Sequence, residues 1–301
     1  MGIRIRAFFS ELNRYILSFR RSFVWIIGLL AFAAVAISSF YPLPLYSVTG
    51  LTLFPVDVNM YDFFTNSYSS MMMAIVLLLS SLLISEDVEN GTWNITKSLG
   101  ISQAPFLFAK FLWIMVYSII GSTLSVFVVS LYVSSLLGYF SLSFLIVGIE
   151  MVLSYSFIIA LTALFGMMIS SLFSKRVSAV LVSAAFYIFL TIVPANLYNT
   201  LFVFGHGMQD NIPGYDIGIP FIDKLVILLN PSFFQGAAAS LMGMSSFGLQ
   251  NNNGIGSTST VQFFLPLMFS SPWGYVLPYI ILAGASIIFM AVVLYLKRRL
   301  E

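Results

Sequence analysis

Residues 110–175 read KFLWIMVYSIIGSTLSVFVVSLYVSSLLGYFSLSFLIVGIEMVLSYSFIIALTALFGMMISSLFSK, and between Lys110 and Lys175 the one charged side chain is Glu150. A helix needs about 20 mostly apolar residues to cross about 30 Å of hydrocarbon. The 64 intervening residues are too many for one crossing and suit two, hinged near Gly138-Tyr139-Phe140-Ser141. A run this apolar has no polar face to turn toward water, so its reading decides the fold: a polytopic membrane protein.

The rest of the chain agrees. Its 301 residues are 59% apolar and 8% charged, with a mean hydropathy of +0.99, whereas an ordinary soluble domain is about 25% charged. A water-soluble globular enzyme is excluded, because its surface could not be kept polar. Disorder is excluded by the 30 phenylalanines. With no cysteine there are no disulfides, thiolate chemistry or Cys-based zinc sites. The single histidine, His206, sits beside Met208 and Asp210 in a glycine-rich stretch that reads as a loop. No metal site is expected. The HExxH and Gly-x-Ser-x-Gly patterns are also missing from the sequence.

Working outward from 110–175, spans are expected over 22–40, 67–85, 106–138, 142–173, 177–193 and 275–296, with a tail at 297–301. The first lies between Arg20-Arg21 and Tyr41-Pro42-Leu43-Pro44, and the fifth stops before Pro194. The expected fold is thus all-α, one domain of six transmembrane helices over residues 1–301. Arg4, Arg6, Arg14, Arg20, Arg21, Lys97, Lys110, Lys175, Arg176, Lys297, Arg298 and Arg299 fall on one side of this arrangement, and only Lys224 on the other. Twelve of thirteen basic residues on one side makes that side cytoplasmic, with both termini there. The first span reads as an uncleaved anchor in a cytoplasmic, prokaryotic-type membrane.

Residues 1–21 are too polar to cross but have helical period. Ile5, Phe8, Leu12, Tyr15, Ile16 and Phe19 share one face, and Arg4, Glu11, Arg14, Ser18 and Arg21 the other. Such a helix lies in the interface with its basic side toward anionic headgroups. It is either an elbow that sets the angle of the first span or a basic flank that is incidentally helical. Residues 194–274 are external, long and rich in Gly, Asn and Ser, with Gln250-Asn251-Asn252-Asn253-Gly254 at a loop tip. Two pieces too short to span, Leu225–Leu229 and Val261–Phe269, suit interfacial or re-entrant helices.

The cytoplasmic loop 86–105 carries the most specific signal. Asn90-Gly91 is a turn dipeptide, Thr92 is placed to N-cap, and Trp93–Leu99 gives about two helical turns before Gly100. Ser102 and Pro105 then start the next helix. A short helix presenting Trp93 as an aromatic knob suits a groove on a partner.

This loop resembles that of the export-type (type-2) permeases of ATP-binding-cassette transporters. In that family the second and third spans are joined by an acidic–Gly-Thr–apolar–(Pro/Gly)-(Ile/Val)-Ser stretch. Glu89, Gly91, Thr92, Ser98, Ile101, Ser102 and Lys110 fit it, and Asp87 stands where an acidic residue is usual. Val88 and Gln103 depart from it where basic residues are common, as does Gly100 where proline is common. Leu229-Asn230-Pro231, followed by Phe233, Phe234 and Ala237, is similar to an Asn-Pro that members carry before the last span.

The resemblance implies a permease subunit that dimerises with an identical or related copy. Each copy would dock one cassette subunit, two in all, through a coupling loop here comprising Glu86, Asp87, Glu89, Gly91, Thr92, Trp93, Thr96 and Lys97. This chain has no Gly-x-x-x-x-Gly-Lys-Ser/Thr loop, so ATP and Mg would be bound by the partner, and the chain itself is not expected to be an enzyme or to bind nucleic acid. By the same resemblance the second and fifth spans line the path, where Ser70, Met71, Ser80, Ser183, Tyr187 and Thr191 are candidates. An uncharged, Met- and aromatic-bearing path suits an amphipathic or lipid-like substrate, moved outward. The same serines also serve ordinary helix packing.

Glu150 needs a reason to lie in an apolar span, since a carboxylate at the bilayer centre costs about 2.5–3.5 kcal/mol. It is either a proton-coupling or substrate-contacting carboxylate or a hydrogen-bonded glutamate between helices. Two other function classes stand beside the permease. An ion-gradient-driven secondary transporter would show several intramembrane ionisable residues or broken helices. A non-transporting membrane scaffold would place its function in the external segment.

Overall fold

A computed structural model describes residues 6, 8–14, 17, 23–40, 68–98, 103–137, 142–198 and 273–300. Among these the chain is helical, without strands. Residues 8–14 form helix at the N-terminus. Then come α1 (Phe23–Phe40), α2 (Ser69–Glu89), α3 (Thr92–Ser98), α4 (Gln103–Leu137), α5 (Leu142–Leu172), α6 (Arg176–Tyr198) and α7 (Trp273–Leu300). The expected external segment beyond Tyr198, with His206, both short apolar pieces and Asn230-Pro231, lies outside the described residues.

Among the described residues three stretches are long and apolar enough to cross a membrane, Met71–Glu89, Gln103–Tyr132 and Gly148–Leu172. Trp25–Ser38, Arg176–Ile192 and Ile280–Leu296 are shorter apolar helical stretches. Large apolar side chains also cover the outside: Phe23, Leu30, Val177, Leu181 and Ile288 are all exposed. Helices apolar on every side belong in lipid, and the chain is a helical membrane protein.

Three helix ends differ from expectation. The second helix continues beyond Ser85 to Glu89 because the charges of its last turn find partners within the fold. The fifth expected span runs through Pro194 to Tyr198. Proline's fixed φ is itself helical, and the backbone bond it forfeits is tolerated in apolar helices of this kind. The last helix extends through Lys297-Arg298-Arg299 to Leu300, where cations suit the negative end of the helix dipole.

The centre of the bundle is α5, which packs along α2 and also touches α4, α6 and α7, while α1 rests on α4 and α2 meets α6. Phe32, Met72, Val76, Ile84, Ile114, Tyr155 and Ile159 fill the interior. The α1–α4 seam is aromatic. Trp25 meets Trp113 edge-on at 5.7 Å and Tyr117 at 5.0 Å, and the Tyr117 hydroxyl donates to the Trp25 carbonyl. Below it, the Ser125 hydroxyl donates to the Phe32 carbonyl at 2.9 Å.

The α2–α5 seam is built from small residues instead. At Gly166 an added Cβ would strike the Ser80 hydroxyl and lie 2.7 Å from the Leu77 carbonyl oxygen. Backbone on one side of the contact leaves little to move aside. A Cβ at Gly121 would instead have the Phe32 ring as its nearest neighbour, at 2.6 Å, and at Gly284 nothing within 4 Å. Alanine at position 166 is therefore expected to lower stability by about 1–3 kcal/mol, as overpacking does. Gly121→Ala should cost less and Gly284→Ala nothing. Thermal unfolding midpoints of the three variants in detergent check this order.

Candidate functional site

The site forms where α2 ends. Within the apolar bundle the backbone of this last stretch is held by side chains of other helices. The Ser170 hydroxyl of α5 accepts from the amides of Ile84 at 3.0 Å and Ser85 at 2.8 Å. From α4, the wholly buried Lys110 ammonium donates to the Leu83 carbonyl at 2.5 Å and forms an ion pair with Asp87. The other Asp87 oxygen takes the Arg14 guanidinium at 2.9 Å, and the same guanidinium nitrogen reaches Glu11 at 2.7 Å.

Two acids and two bases thus close one cluster joining the N-terminal helix, α2 and α4. Glu11 and Asp87 are both buried. Burial pushes the Glu11 carboxyl above its ordinary range, outweighing the pull of Arg14 and Lys110, and Asp87 adds to the rise. Beside the cluster is a small cleft lined by Glu11, Arg14, Asp87, Thr92, Trp93, Gln103 and Phe106.

A second cluster braces the opposite side. Arg176, the first residue of α6, gives its backbone amide to Glu89 at 2.8 Å and its side chain to Glu89 at 3.2 Å. Its guanidinium also reaches Glu86 at 3.4 Å and Asn90 at 3.0 Å. An amide at a helix start has no partner inside its own helix, so Glu89 caps α6 from another element.

Between these clusters the chain turns. The Asn90 amide bonds the Glu86 carbonyl at 3.0 Å and the Gly91 amide the Val88 carbonyl at 3.1 Å. Gly91 has φ +73°, where only glycine is comfortable. Its carbonyl accepts from Asn94 at 3.1 Å and Ile95 at 3.3 Å, so Gly91 opens α3. Thr92 is therefore the first helical residue and not the N-cap expected from sequence; glycine supplies the non-helical backbone a cap needs.

Trp93 is also turned the other way from expectation. It is 8% exposed, packed beside the cleft, where the N-terminal helix contributes Glu11 and Arg14 and α4 contributes Phe106. The outward face of α3 is Asn94, Ile95 and Ser98, with Ile95 60% exposed. The side chains of Thr96 and Lys97 lie outside the described part, as does that of Ser70.

The other sequence-chosen residues are dispersed. Ser80 is buried at the Gly166 contact and donates to the Leu77 carbonyl at 3.1 Å. Ser183 is buried, Tyr187 and Thr191 are half-buried, and Met71 is exposed. The Thr191 hydroxyl bonds the Ile188 carbonyl of its own helix at 2.9 Å. Glu150 is exposed on α5 among Ile146, Ile149 and Leu153, on the outer face of this chain and not between its described helices. Among the described residues no group of three or more His, Asp and Glu side chains is placed to hold a metal ion.

Sequence reasoning assigned Glu86, Asp87 and Glu89 to the loop but missed their partners Arg14 and Arg176, as well as Glu11, which pairs with Arg14, and Ser170, which holds the amides of Ile84 and Ser85. A signal existed: in a chain so poor in charge, three acids in one short loop demand nearby bases. Compared with protein-family models and with curated proteins, the chain matches neither.

Removing one partner of a buried pair costs about 3–5 kcal/mol, whereas replacing both with apolar groups is far milder. Lys110→Met and Asp87→Leu are each expected to destabilise by about that amount, and the double variant by less than the two together, in a thermal-unfolding cycle. Glu11 gives a pH prediction of defined sign. Its carboxyl holds a proton more tightly folded than unfolded, so stability falls as pH rises from the ordinary value of 4.5 toward the raised one. Against Glu11→Gln, the unfolding midpoint of the natural chain should drop progressively across that window and level off above it.

Proposed function

We propose that this chain is the transmembrane permease subunit of an export-type ATP-binding-cassette transporter. In this reading all six apolar helical stretches cross the cytoplasmic membrane, and the side to which the sequence assigns twelve of the thirteen basic residues faces the cytoplasm. Two permeases pair, each docks a cassette subunit that binds ATP and Mg, and an amphipathic or lipid-like substrate is moved outward.

One observation carries this reading: α3 is a short helix with an exposed outer face, and the end of α2 that leads into it is clamped to two other long helices. Its turn follows α2 directly, Asp87 ties it to Lys110 of α4, and Glu86 and Glu89 tie it to Arg176 of α6. A push on Asn94, Ile95 and Ser98 would therefore move α2, α4 and α6 together as a body. That is what a permease needs from a loop that receives cassette closure. The acids of the loop serve this bracing, which leaves Ile95 as the residue best placed to fill a partner's groove.

Gentle purification of the tagged chain should bring a nucleotide-binding protein with it. Ile95→Asp should weaken that association about tenfold or more, as loss of a central apolar contact does, while leaving the unfolding midpoint unchanged. A chain that purifies without any nucleotide-binding partner, with Gly91→Val and Ile95→Asp both harmless to its cellular activity, would overturn the reading.

A further inference from the structure

The two bases of the cluster at Arg14 differ in burial: one is wholly enclosed and the other reaches the surface. Lys110 is wholly buried and held by both the Leu83 carbonyl and Asp87. Arg14 contacts the same Asp87 but its side chain is 40% exposed. Should Arg14 leave, its bonds to Asp87 and Glu11 are among the contacts that break, while Asp87 keeps Lys110.

The surroundings of Arg14 define what could draw it away. Phe9 and Phe108 are 60% and 57% exposed, and the Phe8 ring between them lies 5.3 Å from Phe9 and 5.8 Å from Phe108. Leu17, three residues beyond Arg14, is exposed as well. Exposed aromatic and aliphatic side chains on an interfacial helix sit at the acyl–headgroup boundary. With that face at the boundary, Arg14 would come within reach of lipid phosphates, which accept a guanidinium in the same forked manner as a carboxylate.

We propose that Arg14 is a lipid-responsive latch, exchanging Asp87 for the phosphate of an anionic phospholipid and so releasing the N-terminal helix from the cleft beside α3. In zwitterionic lipid the Arg14–Asp87 contact holds residues 8–14 against Asp87, Thr92 and Trp93. Anionic headgroups bind the open form better and shift the population toward it, which requires only differential affinity for the two forms. The inference needs the membrane placement alone and stands apart from the permease reading.

The chain has no cysteine, so Asn13→Cys and Asn94→Cys introduce two unique spin-label sites, both at exposed positions. The double-labelled full chain is placed in nanodiscs of phosphatidylcholine alone or with phosphatidylglycerol, and the distance distribution is measured. The expected result is a longer distance whose weight relative to the short one rises about fivefold with anionic lipid, the scale of one basic residue at an anionic surface. Adding Arg14→Gln should give the long distance in both lipids. Arg14→Lys, which keeps the charge without the fork, should respond less than the natural residue.

An identical short distance in both lipids overturns the proposal without recourse to any variant. So does an Arg14→Gln chain that still responds to phosphatidylglycerol. Millimolar inorganic phosphate is the remaining arm. The same shift in phosphatidylcholine discs would assign the site to a soluble anion and overturn the lipid assignment.

Discussion

The buried Lys110–Asp87 pair is the constraint on which the α3 end of the bundle depends. An ammonium inside an apolar bundle carries a desolvation cost of several kcal/mol that only good geometry offsets. Here Lys110 has a carboxylate and a backbone carbonyl, and both belong to the last turns of α2. That fixes the spacing between the end of α2 and the beginning of α4. Within the distance so defined the chain makes its glycine turn at Asn90-Gly91 and forms α3.

From that pair the other polar contacts follow in sequence. Asp87 has a second oxygen, which brings Arg14 and with it Glu11 and the N-terminal helix. Glu86 and Glu89 lie on the other side of the same turn and find Arg176. Elsewhere the outer faces of the described helices are mainly apolar, with Glu150 an exception. Charge in this protein is therefore a local tool, spent at one end of the bundle to hold three long helices and one short one in register.

Helix bodies were legible in the sequence, because an apolar run of fixed length has few alternatives in lipid. Phe23–Phe40, Gln103–Leu137 and Leu142–Leu172 all lie within a few residues of the boundaries read from charge and turns. The glycine turn at Gly91 was legible too, since few residues accept its backbone. What could not be read is which way a short helix faces. Trp93 turns inward beside a cleft that the N-terminal helix, from about 80 positions earlier, helps to line, and nothing local encodes that meeting. The partners Arg14 and Asp87 are likewise 73 positions apart and Arg176 and Glu89 87 apart, beyond the reach of any local pattern. Ser170 escaped for a further reason: serine in an apolar helix is ordinary, and only its position beside two backbone amides gives it a role.

The contact between Arg176 and the end of α2 sets an order of manufacture. Chains are made from the N-terminus, and α2 is complete long before Arg176 leaves the ribosome. During that interval Asp87 already has Lys110 once α4 begins, but Glu86 and Glu89 await a cation and an amide encoded beyond the end of α5. A chain stopped short of residue 176 would carry two uncompensated acids at the membrane surface and an α2 end braced on one side only. Completion of the start of α6 is thus the step that braces the last turn of α2 on its second side, while α7 has still to pack against α5.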